Sequence, residues 1–166
     1  VADGANSFCR QILGIPWGIK NYCQHAVLAD FKSSLSPNIA RQWFRRDEVL
    51  AFLPTAKNSL SMIWSQRDCD AQRLLQEGDS YLMKELSNFI GTTMLSRIEI
   101  DSKMISAPLA MTTVDKLVTK RVILLGDSAH TVHPLAGLGL NIGLFDILTL
   151  VDEFDKACLL YTSDAA

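Results

Sequence analysis

The segment RVILLGDSAHTVHPLAGLGLNIGLFD, residues 121–146, constrains the fold more than any other part of the sequence. Val122 to Leu125 is a short apolar run that predicts a strand buried on both faces, and Gly126-Asp127 supplies the turn that ends it. Asp127 is therefore expected at the carboxyl end of a strand, where ligands bind in open α/β sheets. A carboxylate there can accept hydrogen bonds from sugar or polyol hydroxyls.

Glycines and a helix start follow this turn. Pro134 interrupts the chain, and Gly137 and Gly139 allow the backbone to approach a ligand where a side chain would collide. A helix is predicted from Leu140 onward, and its free N–H groups and positive dipole end favour an anionic or electron-rich ligand. Because this helix is apolar nearly all round as far as Phe154, it is predicted to be buried between layers.

Composition excludes several classes of protein. The 166 residues allow one domain or parts of two. A net charge of -2 provides no basic surplus for binding a nucleic-acid backbone, so no nucleic-acid partner is expected. No apolar run is long enough to span a membrane. The four cysteines form no CxxC motif, which argues against a zinc site or a disulfide framework and indicates a reduced, cytoplasmic protein.

The first residues, VADGANSFCR, read as a strand end and turn followed by a short helix over 7–13. Ser7 and Arg10 fall on one face of that helix. Taken alone, this spacing favours a helix N-cap and a surface arginine. A chain that opens on a strand end without methionine is predicted to be a fragment whose upstream part is absent.

The middle of the chain is rich in strands. Residues 22–66 predict an antiparallel sheet with one solvent-facing side, since Leu60, Met62 and Trp64 alternate with serines. Two helices follow, ended by Gly78 and Gly91, and are expected to cover one face of the sheet. Further strands are predicted at 98–100 and 106–111.

Histidines and a serine near the turn allow other chemistry. Asp127, Ser128 and His130 are the residue types of a hydrolytic triad, but no nucleophile elbow is present. His130 and His133 could be metal ligands, although two histidines without a third ligand more often form loop hydrogen bonds, so no metal is predicted. His25, within a strand, is interpreted as structural.

Aromatic side chains on the predicted strands allow two interpretations. They could line a pocket for an aromatic substrate, but aromatic residues on strands more often belong to the core. The residues concerned are Trp43, Phe44, Phe52 and Trp64.

Two segments resemble motifs of one enzyme family. ADGANSFCR resembles the second fingerprint, and LLGDSAHTVHPLAGLGLNIGLFD the third, of the class A FAD-dependent aromatic hydroxylases, most closely the branch that acts in ubiquinone biosynthesis. The resemblance implies an α/β fold: part of a Rossmann-like FAD-binding domain, interrupted by a mainly antiparallel substrate domain with helices on one face. The implied domains are 1–15 and 119–157 for FAD and 16–118 for substrate. Residues 158–166 resemble the translation of a sequencing-library adapter and are expected to be an adapter-derived tail.

The resemblance also implies roles for individual residues. Asp127, beside Gly126, would bind the ribityl hydroxyls of FAD. The loop and helix start, with Pro134 before them, would run beside the pyrophosphate and isoalloxazine; these residues are Gly137, Leu138, Gly139, Leu140 and Asn141. The motif formed by Asp3, Gly4 and Arg10 is associated with both FAD and the nicotinamide donor. Two departures concern details of flavin contact: Leu138 replaces the usual Gln, and Phe145 the usual Arg.

The implied reaction is hydroxylation of a phenol, expected to be a polyprenylated ubiquinone precursor. In this family NAD(P)H reduces the flavin, dioxygen adds to it, and the flavin hydroperoxide transfers oxygen, so the cofactor does the chemistry and no catalytic side chain is assigned. The family's GxGxxG fingerprint is missing, so these residues alone are expected to retain FAD weakly, to be inactive and to be poorly soluble. Alternatives are a reductase or halogenase of the same superfamily, or a non-catalytic remnant. Association with the inner membrane surface or with other enzymes of the pathway is a further expectation.

Overall fold

The computed structural model describes residues 1–35, 38–119, 121–133 and 137–163. Its elements in chain order are α1 (Phe8–Ile12), β1 (Trp17–Ser33), β2 (Arg41–Arg45), β3 (Glu48–Ala56), β4 (Ser59–Arg67), α2 (Asp68–Glu77), α3 (Asp79–Ile90), α4 (Thr92–Leu95), β5 (Ile98–Ile100), β6 (Ile105–Val114), β7 (Val118–Thr119), β8 (Val122–Ile123), a 3₁₀ helix (Gly126–Ser128) and α5 (Leu138–Ser163). This combination of helices and strands confirms the predicted α/β fold class.

The chain divides into two compact units. Unit 1 comprises Val1–Asn21 and Ala110–Ala166, and unit 2 comprises Tyr22–Leu109. The unit boundaries fall inside β1 and β6. The domain boundaries drawn from the sequence, at 15/16, 118/119 and 157/158, stay a prediction.

An antiparallel sheet dominates unit 2, with strand order β2-β3-β4-β1-β5 and with β6 also paired to β1. Trp64 on β4 lies opposite Val27 on β1 and opposite Leu50 on β3. Directly paired residues point to the same face of a sheet, and these three side chains are all buried. The register therefore gathers the largest apolar side chains on one face, as the alternating pattern predicts.

Helices α2 and α3 cover that face, which confirms the predicted layer arrangement. Their inner sides contribute Ala71, Leu74, Leu82 and Leu86 to the same core cluster as the strands. Phe89 at the end of α3 packs edge-on against Trp64, with ring centroids 5.3 Å apart. The helices are held by burial of this apolar stripe against the sheet.

The aromatic strand residues divide between core and surface. Phe52 and Trp64 are buried in the core, and Trp43 packs edge-on against Phe52 at a centroid distance of 5.9 Å. Phe44 is exposed on the surface. His25 Nδ1 lies 2.8 Å from Asp68 Oδ1, a contact that joins β1 to the start of α2 and supports its structural interpretation.

The strand predicted over 122–125 is shorter than expected. Only Val122–Ile123 forms a strand, paired with β7, and both residues are half-buried rather than buried on two faces. Leu125 N donates to Val1 O (2.9 Å) and the Val1 amino group donates to Ile123 O (2.7 Å). One residue bonded in this way to two residues of a neighbouring segment is the pattern of parallel chains, so Val1 lies beside 123–125 as a strand end would.

The prediction that the last helix is buried is wrong for the described residues. Helix α5 starts at Leu138, and much of its apolar surface is exposed: Leu140 by 75%, Phe145 by 66% and Leu148 by 64%. A residue pattern that is apolar all round shows what the helix can bury, whereas burial also requires neighbours on every side. Across the described ranges, no helix is long and apolar enough to cross a membrane.

Glu48 gives the first testable prediction. Burial raises the pKa of its carboxyl above the ordinary value of 4.5, and repulsion from Asp70 adds to the shift. Between the ordinary and the raised pKa, the folded protein holds a proton that the unfolded chain has lost, so the stability falls as pH rises through this interval. We expect Glu48→Gln to gain in melting temperature over the wild type as pH rises from about 4 to about 7. Glu99→Gln, at an exposed position of β5, controls for loss of a surface charge, and a pH-independent difference for Glu48→Gln would contradict the prediction.

Candidate functional site

The turn at the start of unit 1 is shaped by Gly4, whose φ of +86° is a conformation that favours glycine. Asp3 on this turn accepts a hydrogen bond from Cys9 N (3.1 Å). A hydrogen bond from the Ser7 side chain, together with that from Cys9 N, lowers the pKa of Asp3 to about 2. Asp3 therefore stays ionised and braces the first turn of α1.

Arg10 is buried, which overturns the surface-arginine interpretation. Ser7 is the N-cap of α1 as predicted, with its Oγ accepting from Arg10 N (3.0 Å). The Arg10 guanidinium donates to Ser128 O and to Ala5 O, both at 2.7 Å, and lies 4.4 Å from the centroid of the Trp17 ring. Its Nε has no hydrogen-bond partner within the described part of the chain. Arg10 thus joins the first turn of the chain to the 3₁₀ helix.

The 3₁₀ helix presents Asp127 and buries Ser128. Ser128 Oγ lies 2.9 Å from Val1 O and 2.8 Å from Leu125 O, so the hydroxyl braces backbone and is unsuited to act as a nucleophile. Asp127 is exposed, and its carboxylate forms no hydrogen bond or ion pair with any residue that the structure describes. The Asp127 carboxylate is therefore available to a ligand.

Helix α5 approaches the 3₁₀ helix where each contributes a glycine, Gly143 and Gly126. A Cβ placed on Gly143 would lie 3.5 Å from the Gly126 Cα, an ordinary van der Waals distance, so the two backbones run about one methyl group apart. Asp146, one turn further along α5, accepts a hydrogen bond from Gly126 N at 2.7 Å. The start of α5 is thereby placed next to Asp127.

These elements enclose a cleft of about 480 Å³ within unit 1, here called the cofactor cleft. It is lined by Ala2, Gly4, Leu125, Gly126, Asp127, Gly139, Leu140, Gly143, Leu144 and Ile147. The volume falls in the range of about 300–1,000 Å³ typical of small-molecule sites. One side carries the Asp127 carboxylate and the other an apolar stripe of α5, so the cleft suits a ligand with a polar and an apolar part.

The cofactor cleft gathers part of the predicted site. Gly4, Gly126, Asp127, Gly139 and Leu140 line it. The other described candidates lie elsewhere in unit 1: Asp3 and Arg10 brace the turn, and Gly137, Leu138 and Asn141 are exposed at the start of α5. Pro134 lies outside the described residues.

Sequence reasoning missed several residues of the cleft and its support. Gly143, Leu144, Ile147 and Asp146 were not singled out as cofactor residues. A signal existed, because Gly139, Gly143 and Asp146 follow one another at helical spacing on a single face.

The two histidines that follow Asp127 have different surroundings. His130 Nε2 lies 2.9 Å from Asp146 Oδ2. Burial lowers the pKa of His133 and favours its neutral imidazole. In the part of the chain that the structure describes, no group of three His, Cys, Asp or Glu residues could hold a metal ion.

A larger cavity of about 660 Å³ lies in unit 2. Its lining includes Lys32, Lys57 and Arg97. Lys32 is paired with Asp101 at 3.0 Å, and Arg97 donates to Ser34 O, so two of these three cations already have partners. The cofactor cleft, with its helix start and a carboxylate that is unpaired among the described residues, is the better candidate site.

In fold, the chain is similar to part of a solved protein structure. The crystal structure of pqsL, a probable FAD-dependent monooxygenase from Pseudomonas aeruginosa, superposes with a TM-score of 0.70 at 22% identity. The match covers 95% of this chain and 45% of that protein. The structural likeness shows that this chain shares the fold of part of that protein.

The chain belongs to the FAD binding domain family, whose model matches residues 1–158. It is 32% identical over 159 residues to the 3-demethoxyubiquinol 3-hydroxylase of Escherichia coli K12. It is 30% identical over 196 residues to the mitochondrial ubiquinone biosynthesis monooxygenase COQ6 of Schizosaccharomyces pombe. Each match covers 94% of this chain but only 40% and 41% of the relative, respectively, so the chain spans about two fifths of these proteins. The family resemblance inferred from the two motifs is confirmed.

Proposed function

We propose that this chain is part of an FAD-dependent monooxygenase that hydroxylates a phenolic, polyprenylated ubiquinone precursor with NAD(P)H and dioxygen. The family match over residues 1–158 carries the proposal, together with relatives of about 30% identity that are named as ubiquinone-pathway hydroxylases. The curated relatives favour hydroxylation over the reductase and halogenase alternatives.

The residues of the cofactor cleft fit FAD. A Cβ at Gly4 or Gly139, both of which line the cleft, would meet no described atom within 4 Å, so each glycine borders open space that a ligand can enter. The Asp127 carboxylate, which has no partner among the described residues, would accept hydrogen bonds from ribityl hydroxyls. The N-terminal N–H groups of α5 would face negative charge on the cofactor, and Leu140, Leu144 and Ile147 would pack against its apolar ring.

When bound, FAD supplies the redox and oxygen chemistry of the reaction. The chain's own residues bind and orient it. Asp127 and the start of α5 hold opposite parts of the cleft, and Arg10 fixes the 3₁₀ helix that carries Asp127. With FAD bound, the apolar stripe of α5 would exclude water from one side of the cleft.

Substrate and partners belong to the same proposal. We assign the substrate domain to residues 16–118, which contain the antiparallel sheet, and the FAD-binding parts to 1–15 and 119–157. A polyprenyl chain is apolar, so the protein is expected to work at the inner-membrane surface, in association with other enzymes of the pathway.

The test uses protein expressed from the complete reading frame that contains this chain. We expect the purified protein to show visible flavin absorbance and to oxidise NADH or NADPH when a short-chain polyprenyl phenol is added. Labelled dioxygen should place one labelled oxygen atom in the product, detected by mass spectrometry. A protein that neither retains nor takes up FAD, or one that yields a halogenated product, would overturn the proposal.

A further inference from the structure

Asp146 makes two contacts with the segment that carries Asp127. Its Oδ2 accepts a hydrogen bond from Gly126 N (2.7 Å) and lies 2.9 Å from His130 Nε2. The Asp146 and His130 side chains are only 17% and 25% exposed, respectively. Both contacts reach across from the third turn of α5, one to Gly126, the first residue of the 3₁₀ helix, and the other to His130, just after that helix.

The chemistry of the contact between Asp146 and His130 determines which imidazole nitrogen carries a hydrogen. A carboxylate only accepts hydrogen bonds, so His130 Nε2 carries the hydrogen that points at Asp146. Hydrogen bonds to a charged acceptor are stronger than those between neutral groups. The pair therefore ties His130 to α5 more firmly than a neutral contact would.

Neither side chain lines the cofactor cleft, yet the pair determines its geometry. Asp127 follows Gly126 directly, and the Asp127 carboxylate has no partner of its own among the described residues. Its place relative to the start of α5 is set by the close approach of Gly126 to Gly143 and by the two contacts of Asp146. Loss of one contact would let the carboxylate and the helix start shift apart.

We propose that Asp146 and His130 are positioning residues of the cofactor cleft, which hold Asp127 and the N-terminus of α5 at the spacing that binds one FAD. This inference rests on the proposed FAD site. Asp146 and His130 would change the affinity for FAD through Asp127 and α5, without touching FAD themselves.

Matched variants of His130 separate positioning from bulk packing. Leucine fills similar space without a donor, whereas the side-chain amide of glutamine can donate to Asp146 in place of Nε2. In protein from the complete reading frame, we expect His130→Leu to raise the Kd for FAD by about tenfold and His130→Gln to recover most of that loss. Asp146→Asn keeps an oxygen for Gly126 N but loses the charge, and a rise in Kd of about threefold is expected.

The measurements are FAD titration of the apoprotein by fluorescence and melting of the same apoprotein. Asp152→Leu, at an exposed position of the same helix where Asp152 pairs with Lys156, should leave the Kd unchanged. If the wild type binds FAD and both His130 variants bind it as tightly as the wild type does, the positioning inference is overturned while the proposed function stands. If wild type binds no FAD under any condition, both are overturned together.

Discussion

Replacement of Arg10 by methionine is expected to lower the free energy of unfolding by about 2–4 kcal/mol. The Arg10 guanidinium is fully buried and donates to Ser128 O and Ala5 O. Methionine fills similar space but leaves both carbonyl oxygens without their donors, and a buried acceptor without a partner costs about 1–3 kcal/mol. The contact with Ser128 O is buried, so that oxygen has no ready access to water.

An opposing effect limits this loss. Arg10 carries its charge inside the protein without a carboxylate partner in the described residues, and a buried charge is costly unless it is well paired. Removing the charge therefore offsets part of the free energy of unfolding that is lost with the hydrogen bonds. The estimate stays on the destabilising side because two carbonyl contacts and the packing on Trp17 disappear together.

Urea denaturation of protein from the complete reading frame would measure the effect. Arg46→Met provides the matched control, because Arg46 is exposed, and its effect should stay within about 0.5 kcal/mol. Arg10→Lys keeps the charge but not the two-armed geometry and should fall between methionine and wild type. An Arg10→Met protein as stable as the wild type would show that these contacts contribute nothing to folding.

Arg10 also shows where sequence reasoning stops. The spacing of Ser7 and Arg10 predicts the helix and its cap correctly, because an N-cap is a local interaction within four residues. The burial of the guanidinium depends on Ser128, which is 118 residues away in the chain. No local pattern encodes that contact, so a surface position was the natural but wrong expectation.

The predicted burial of helix α5 is wrong for a related reason. Its apolar composition correctly predicts a helix, and its N-terminus lies at the cleft as expected. Its burial was inferred from composition alone, whereas Phe145 and Leu148 are exposed in the described residues. Periodicity reports which faces a helix can bury, and the packing of other elements decides which faces are buried.

The turn at Gly126-Asp127 was predictable because its signals are adjacent in sequence. An apolar strand, a glycine and an acid placed the carboxylate at a ligand-binding edge, and Asp127 does line the cofactor cleft. The support behind it was missed, since Asp146 and His130 are 16 residues apart and meet only once α5 has folded back. The carboxylate was therefore found from adjacent signals, whereas its support, like the lining residues Gly143 and Leu144, depends on how α5 packs.

Asp127→Ala is expected to raise the Kd for FAD by about 30- to 100-fold, the effect of losing charge-assisted hydrogen bonds to cofactor hydroxyls. The Asp127 carboxylate is exposed and unpaired among the described residues, so its removal leaves no protein group without a partner. The apoprotein should accordingly melt within about 2 °C of the wild type, since surface substitutions of this kind change stability little.

Two variants sharpen the interpretation of that loss. Asp127→Asn retains one acceptor oxygen without the charge, so we expect a rise in Kd of about three- to tenfold. Asp115→Ala removes an exposed carboxylate of unit 1 that does not line the cofactor cleft and should leave FAD binding unchanged. Fluorescence titration of each apoprotein with FAD gives the Kd values.

The Kd values of these variants distinguish a direct contact between Asp127 and FAD from an effect of the net charge of unit 1. If Asp115→Ala weakened binding as much as Asp127→Ala, the effect would be one of net charge on unit 1. If Asp127→Ala bound FAD as tightly as wild type, the carboxylate would not be a cofactor ligand, and the helix start and glycines would have to account for the affinity. The expected order, alanine weaker than asparagine and asparagine weaker than wild type, follows only if the Asp127 oxygens accept hydrogen bonds from the cofactor.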